Sequence, residues 1–263
     1  IDASGELGQA GIHIILEKAQ TLLENSLKSR CTEIVVGLKG SRCIGFINYA
    51  DGQTEEIRRL FRGCLHQLES EKGIFGPVTF TAALGNTTKD IAKLQDTVGQ
   101  ADVIIEERLL KGTGKLLERM PAGSAVHEQN ILEKYLRQIV QAIEVMSVEE
   151  AAQAMAQVSQ RMLAARDIKG YEVRELVYSA AGLFLSQVEV KNRAEELKLF
   201  EEQCSLCGSM EQLMERLAAL QNRYVEQMRL RREADTVRPV RMAKQYIQNH
   251  YSEPITQEEV SSA

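Results

Sequence analysis

The chain has 263 residues, 44% of them apolar and 26% charged, with 32 basic and 37 acidic side chains for a net charge of −5. These values suit a globular chain of one or two domains and exclude wholesale disorder, a collagen and a disulfide-stapled miniprotein. No stretch approaches the ~18 apolar residues of a membrane helix. Four prolines, no tryptophan and many Ala, Leu, Glu and Gln favour helix over an all-β build.

The charge is unevenly spread. Residues 1–119 carry 15 basic and 16 acidic groups, residues 120–228 carry 11 and 16, and residues 229–263 carry 6 and 5. The bulk of the chain is therefore no electrostatic trap for nucleic acid, and only the tail turns slightly positive. Cys31, Cys43, Cys64, Cys204 and Cys207 are odd in number and show no framework, which points to a reduced, cytoplasmic setting. The chain opens on Ile1 without a signal peptide, so the native N-terminus is expected upstream.

Residues 11–29 have apolar positions at helical spacing through Ile12, Ile15, Leu16, Ala19, Leu22, Leu23 and Leu27. Residues 33–38 and 43–49 are β-rich runs around Lys39-Gly40-Ser41-Arg42, a hairpin with a glycine in its turn. Residues 54–71 are amphipathic again, and Gly73 and Gly76-Pro77 stop them. Residues 78–84 read as one strand. Thr87 is expected to cap a helix, with Asp90 in the N3 place, that runs to about Leu110. Gly112-Thr113-Gly114 then turns into a short strand near Leu116. This order predicts an α+β domain of two layers over residues 1–119.

Met120-Pro121-Ala122-Gly123 breaks the pattern, and residues 124–232 carry no strand signal. Ser147-Val148-Glu149-Glu150 is a capping box, Gly170 interrupts, Gly208 ends a helix, and Ser209-Met210-Glu211-Gln212 opens the next with a second box. A bundle of four or five helices follows from ordinary loop lengths. Arg229, Arg231, Arg232, Arg238 and Arg241 form a basic joint with Pro239 as a breaker. Residues 240–251 are a short amphipathic helix, Pro254 sets a turn, and Thr256-Gln257-Glu258-Glu259 is a third box. The helix it opens is left unfinished at Ala263, so the chain reads as ending inside a domain.

Two stretches resemble known families. Residues 238–263, through Ala243, Tyr246, Ile247, Tyr251, Pro254, Ile255, Thr256, Glu259, Val260 and Ala263, resemble the opening of an AraC/XylS-type DNA-binding domain. The resemblance implies that the recognition helices lie beyond Ala263, so no base-reading residue is assigned. Residues 1–119 resemble a degenerate GGDEF (diguanylate-cyclase-like) domain, whose signature hairpin falls on Lys39-Gly40-Ser41-Arg42-Cys43. An active cyclase needs carboxylates there and after its first strand to hold divalent metals. Only Asp2 remains of that set, Ser41 is a poor ligand, and Arg42 reverses the charge. With a helical segment between, the whole resembles YesN-like response regulators.

Other motifs have bland readings that outweigh their sharp ones. Cys204-Ser205-Leu206-Cys207 has the spacing of a zinc half-site or redox pair, yet no second pair or nearby His accompanies it. Gly112-Thr113-Gly114-Lys115 lacks the spacing and the strand–helix context of a phosphate loop and reads as a helix stop. His13, His66, His127 and His250 are scattered, and spacing suggests no His–carboxylate unit. Met210, Leu213, Leu217, Leu220, Tyr224 and Met228 form a stripe that serves either a bundle core or, in a homodimer, a helix pair.

The expectation is therefore a non-enzymatic, signal-coupling part of a two-component transcription regulator. It has a cyclase-like domain (1–119), a helical coupling domain (124–232) and the start of a helix-turn-helix domain (238–263). Its partners would be DNA, an upstream receiver domain with its sensor kinase, and a possible second copy. No catalytic, metal or cofactor residue is expected. The alternatives are a small-molecule or nucleotide sensor using the old cyclase cleft, with a pocket beside Gly40, and an active cyclase relative.

Overall fold

The computed structural model describes residues 1–3, 9–70, 78–122, 128–164, 167–252 and 254–262. Gly73, Gly76, Pro77, Gly123, Ser124, His127 and Ala263 of the sequence reading lie outside them. The architecture is mixed α+β, mostly helical, with small sheets.

The first part contains β1 (Asp2–Ala3), α1 (Gln9–Leu27), β2 (Glu33–Lys39), β3 (Arg42–Asn48), α2 (Thr54–Ser70), β4 (Val78–Thr79) and β5 (Ala82–Ala83). A 3₁₀ turn (Ile91–Lys93), α3 (Leu94–Glu106), α4 (Arg108–Lys111) and β6 (Leu116–Leu117) complete it. The hairpin β2–β3 pairs Lys39 with Arg42 across a two-residue turn, and Gly40 supplies the positive φ (58°) that such a turn needs. Ile15, Ala19, Leu68, Val78 and Phe80 form a small core.

Three expectations need correction here. The strand expected over residues 78–84 is two strands, because the chain changes partners at Phe80-Thr81. Val78–Thr79 pairs antiparallel with β1, whereas Ala82–Ala83 pairs parallel with β6. The strands also form three separate two-stranded ladders rather than one sheet. β1 has only two residues, and the Ala3 N–H donates to the Leu206 carbonyl at 2.9 Å, a loop filling the place of a further strand. Finally, Asp90 rather than Thr87 is the cap. Its carboxylate accepts from the Ala92 N–H at 3.0 Å, and the helix breaks at Glu107.

Beyond β6 no strand occurs among the described residues. Five helices follow: α5 (Glu128–Glu144), α6 (Val148–Ala164), α7 (Gly170–Gln187), α8 (Arg193–Cys204) and α9 (Met210–Arg232). Two expected caps form, with Ser147 Oγ accepting from Glu150 N–H at 3.1 Å and Ser209 Oγ from Gln212 N–H at 3.3 Å. Gly170 does not interrupt a helix but begins α7. The bundle core gathers Tyr135, Ile139, Val158, Met162, Leu176, Phe184, Leu213, Leu217 and Val225, and Leu109 of α4 joins it.

The joint after the bundle is helical throughout. A π-turn (Glu233–Val237) leads directly into α10 (Arg238–Asn249). Pro239 therefore does not break the helix. A proline lacks the N–H and crowds the carbonyl four residues back, and a wider turn before it lets the helix continue. The tail ends in α11 (Gln257–Ser262), opened by a reciprocal box. Thr256 N–H donates to Glu259 at 2.8 Å, and Glu259 N–H donates to Thr256 Oγ1 at 3.3 Å.

The α9 stripe is intramolecular: Met210, Leu213, Leu217, Leu220 and Tyr224 are buried in the bundle, while Glu211, Glu215, Arg223 and Arg229 face solvent. The stripe thus serves the bundle core in this chain. Leu217→Ala is expected to cost about 2–5 kcal/mol by chemical denaturation, because it leaves a cavity in a closed core.

Candidate functional site

Asp2, Ser41 and Arg42 do come together, around a buried ionic cluster. Its centre is Glu106, 1% exposed at the C-terminus of α3. Glu106 Oε1 accepts from Arg42 Nη2 and Arg174 Nη1, each at 2.5 Å, and Oε2 accepts from Arg108 Nη1 at 2.7 Å. Arg108 Nε donates to Asp2 Oδ1 at 2.7 Å, and Thr81 Oγ1 donates to Asp2 Oδ2 at 2.7 Å. One carboxylate thus ties together the hairpin, α4 and α7, while Asp2 extends the cluster to β1.

The electrostatics follow. Burial alone would raise the Glu106 carboxyl, but Arg108, Arg42 and Arg174 outweigh it and hold it below its ordinary value. Burial likewise pulls Arg108 down, while Glu106 and Asp2 more than restore it. Both carboxylate oxygens of Asp2 are engaged by Arg108 and Thr81. Ser41 is also engaged, its hydroxyl donating to Ser205 Oγ at 3.0 Å. Asp2, Ser41 and Arg42 are therefore structural contacts in this chain.

The loop between α8 and α9 is the cluster's other wall. Ser205 O lies 3.4 Å from Arg108 Nη2, and Leu206 O holds Ala3. Two glycines permit the close approach. A Cβ on Gly170 would collide with the Glu106 carbonyl, and one on Gly208 would strike the Thr113 methyl and crowd Asp2. Gly170 N–H also donates to Glu107 Oε1 at 2.8 Å, which satisfies one orphan donor of α7.

A cleft of about 1490 Å³ opens beside the hairpin. Leu16 and Leu23 of α1, Phe61 of α2, Ile44 of β3, and Leu94 and Ile105 of α3 give it apolar walls. Asp2, Arg42, Thr81 and Arg108 supply polar lining.

The remaining motifs are placed as follows. Cys204 and Cys207 bracket the same α8–α9 loop and are buried in the bundle core, with Cys207 N–H donating to Cys204 O at 3.0 Å. The hydrogen bond between the two thiols and then burial push the Cys204 thiol up, and that bond pulls Cys207 down despite its burial. Gly112 and Gly114 have φ of 87° and 77°, and Gly112 ends α4 by donating to Arg108 O at 2.9 Å. His13 does form a His–carboxylate contact, 3.3 Å from Glu17, but as an exposed pair one helical turn apart. His66 is exposed, and His250 stacks on Tyr246 at 4.6 Å. In the basic joint Arg229 pairs with Glu226 at 2.6 Å and Arg231 with Glu189 at 3.6 Å. All five cysteines are free, and no group of three His, Cys, Asp or Glu able to hold a metal occurs among the described residues. No helix of the described residues is long and apolar enough to cross a membrane.

Sequence reasoning missed Glu106, Arg108, Arg174 and Ser205. A signal existed in Ile104-Ile105-Glu106-Glu107-Arg108-Leu109, where three consecutive charges sit inside an apolar run. Such charges must be paired if the run is buried. Their partners lie as far as 106 positions away, which no local pattern can supply.

No family model matches the chain, and no curated protein or solved structure is significantly similar to it.

Glu106→Gln leaves three arginines facing a neutral amide, and the expected cost is about 3–5 kcal/mol, the usual penalty for removing one partner of a buried pair. The folded pKa of Glu106 lies below its unfolded value of about 4.3, so its stabilisation is present above that pH and is lost as pH falls through the folded value. Stability measured from pH 7 to pH 3 should therefore fall less steeply in Glu106→Gln than in wild type.

Proposed function

We propose that the chain is a non-enzymatic coupling unit of a cytoplasmic AraC-type transcription regulator in a phosphorelay. In this reading an upstream receiver, phosphorylated by its sensor kinase, changes the arrangement of the cyclase-like and helical regions. That change passes to a DNA-binding domain beginning near Arg238, and paired helix-turn-helix units then meet their sites.

The observation that carries this reading is the continuity of α9. Its N-terminal end lies beside the ionic cluster, where Gly208 approaches Asp2 and Thr113. Its inner face is bundle core, and it runs through the π-turn into α10 without a coil break. Twenty-three residues of helix span about 35 Å, long enough to carry a rigid-body displacement from one end of the bundle to the tail. The resemblance of residues 238–263 and the reciprocal box at Thr256 support the identity of what it drives.

The cleft beside the hairpin favours a second reading, a small-molecule sensor. The cleft combines apolar walls with many polar and charged side chains, and two of these, Arg42 and Arg108, belong to the cluster. A ligand there would bias the same coupling.

A direct test joins residues 1–263 in frame to the rest of an AraC-type domain of known operator. Arg42→Ala and Arg174→Ala cut the hairpin and α7 ties while sparing the Glu106–Arg108 pair. Reporter output is expected to change about fivefold or more at equal protein level, the lower range of ordinary coupling energies. Unchanged output in both variants would overturn the reading.

A further inference from the structure

We propose that the open edge of β2 is a self-association surface, on which a second copy of this chain adds its own β2 antiparallel about a two-fold axis at Val36. The inference is independent of the regulatory reading.

Among the described residues β2 pairs with β3 alone. The two-residue turn makes Lys39 and Arg42 a hydrogen-bonded pair, and such pairs alternate along an antiparallel ladder. Ile34, Val36 and Leu38 therefore turn their N–H and C=O groups away from β3. The Gln20 amide confirms that direction, donating to the Val36 carbonyl at 3.3 Å from the outer side. A row of such groups on an edge is a template for another strand. The usual defences, a proline, a bulge or a charge in the middle, are absent from residues 34–38.

The sequence of the edge matches itself. With the axis at Val36, the outward groups of Ile34, Val36 and Leu38 meet Leu38, Val36 and Ile34 of the second copy. Glu33 then lies opposite Lys39 at both ends, which gives two opposite-charge cross-strand pairs. Val35, 59% exposed, lies opposite Gly37, which has no side chain to obstruct it. Moving the axis to Val35 sets Glu33 against Gly37, and moving it to Gly37 sets Lys39 against Val35. Only the Val36 register satisfies both charges. Gln20 keeps its 2.8 Å bond to Glu24 when the incoming strand replaces it at Val36.

Sedimentation of the 263-residue chain tests this. Wild type should show a concentration-dependent monomer–dimer equilibrium. Val36→Pro removes an outward N–H at a position where an edge strand tolerates proline, and should give a folded monomer. Charge exchange keeps the test decisive if that variant fails to fold. Glu33→Lys and Lys39→Glu should each weaken the dimer by about tenfold, since two symmetric pairs are lost and like charges face each other. The double variant Glu33→Lys/Lys39→Glu should restore it. A wild type that stays monomeric, a Val36→Pro variant that still dimerises, or a double variant as weak as the singles would overturn the proposal.

Discussion

The buried Glu106 carboxylate is the constraint on which the junction of this protein depends. A carboxylate at 1% exposure is tolerable only if its charge is met inside the protein. Three arginines from three elements meet it, and each must arrive in position: Arg42 from β3, Arg108 from α4, Arg174 from α7. Fixing those three fixes the hairpin and the bundle relative to α3. Arg108 is then balanced in turn by Asp2, which anchors β1. The net stabilisation of such a cluster is modest, because desolvation offsets much of the attraction. Its specificity is large, because any misplaced element strands a buried charge.

The same constraint explains two glycines that look unremarkable in sequence. Gly170 begins α7 where the backbone of α3 ends, and Gly208 lies where the α8–α9 loop meets Asp2 and Thr113. Neither has a positive φ. Each is required by contact distance rather than by conformational freedom, so turn chemistry alone gives the wrong reason for it.

What was legible followed from local rules. Helices α1, α2 and α9 and the hairpin are written in apolar periodicity, the bundle between them only in its missing strand signal and its caps, and the serine and threonine caps at 147, 209 and 256 are written in their N3 partners. Misread elements involve competition between distant partners. Residues 78–84 look like one strand because nothing local tells that Val78 and Ala82 pair with different neighbours. Asp90 wins the cap from Thr87 because it alone presents its carboxylate to the first turn. The candidate site was half visible. Asp2, Ser41 and Arg42 are singled out by the resemblance alone, whereas Arg108, Glu106 and Ser205, which engage them, lie 106, 64 and 164 positions away.

If the cluster joins the hairpin region and the bundle into one cooperative body, both should open together. Region-resolved hydrogen exchange of the intact chain under mild denaturant measures this directly. The account predicts that amides of β2, β3, α3 and α7 exchange with one common opening free energy in wild type, and that Glu106→Gln separates β2 and β3 from α7. Independent opening of the hairpin and α7 in the wild-type chain would contradict it.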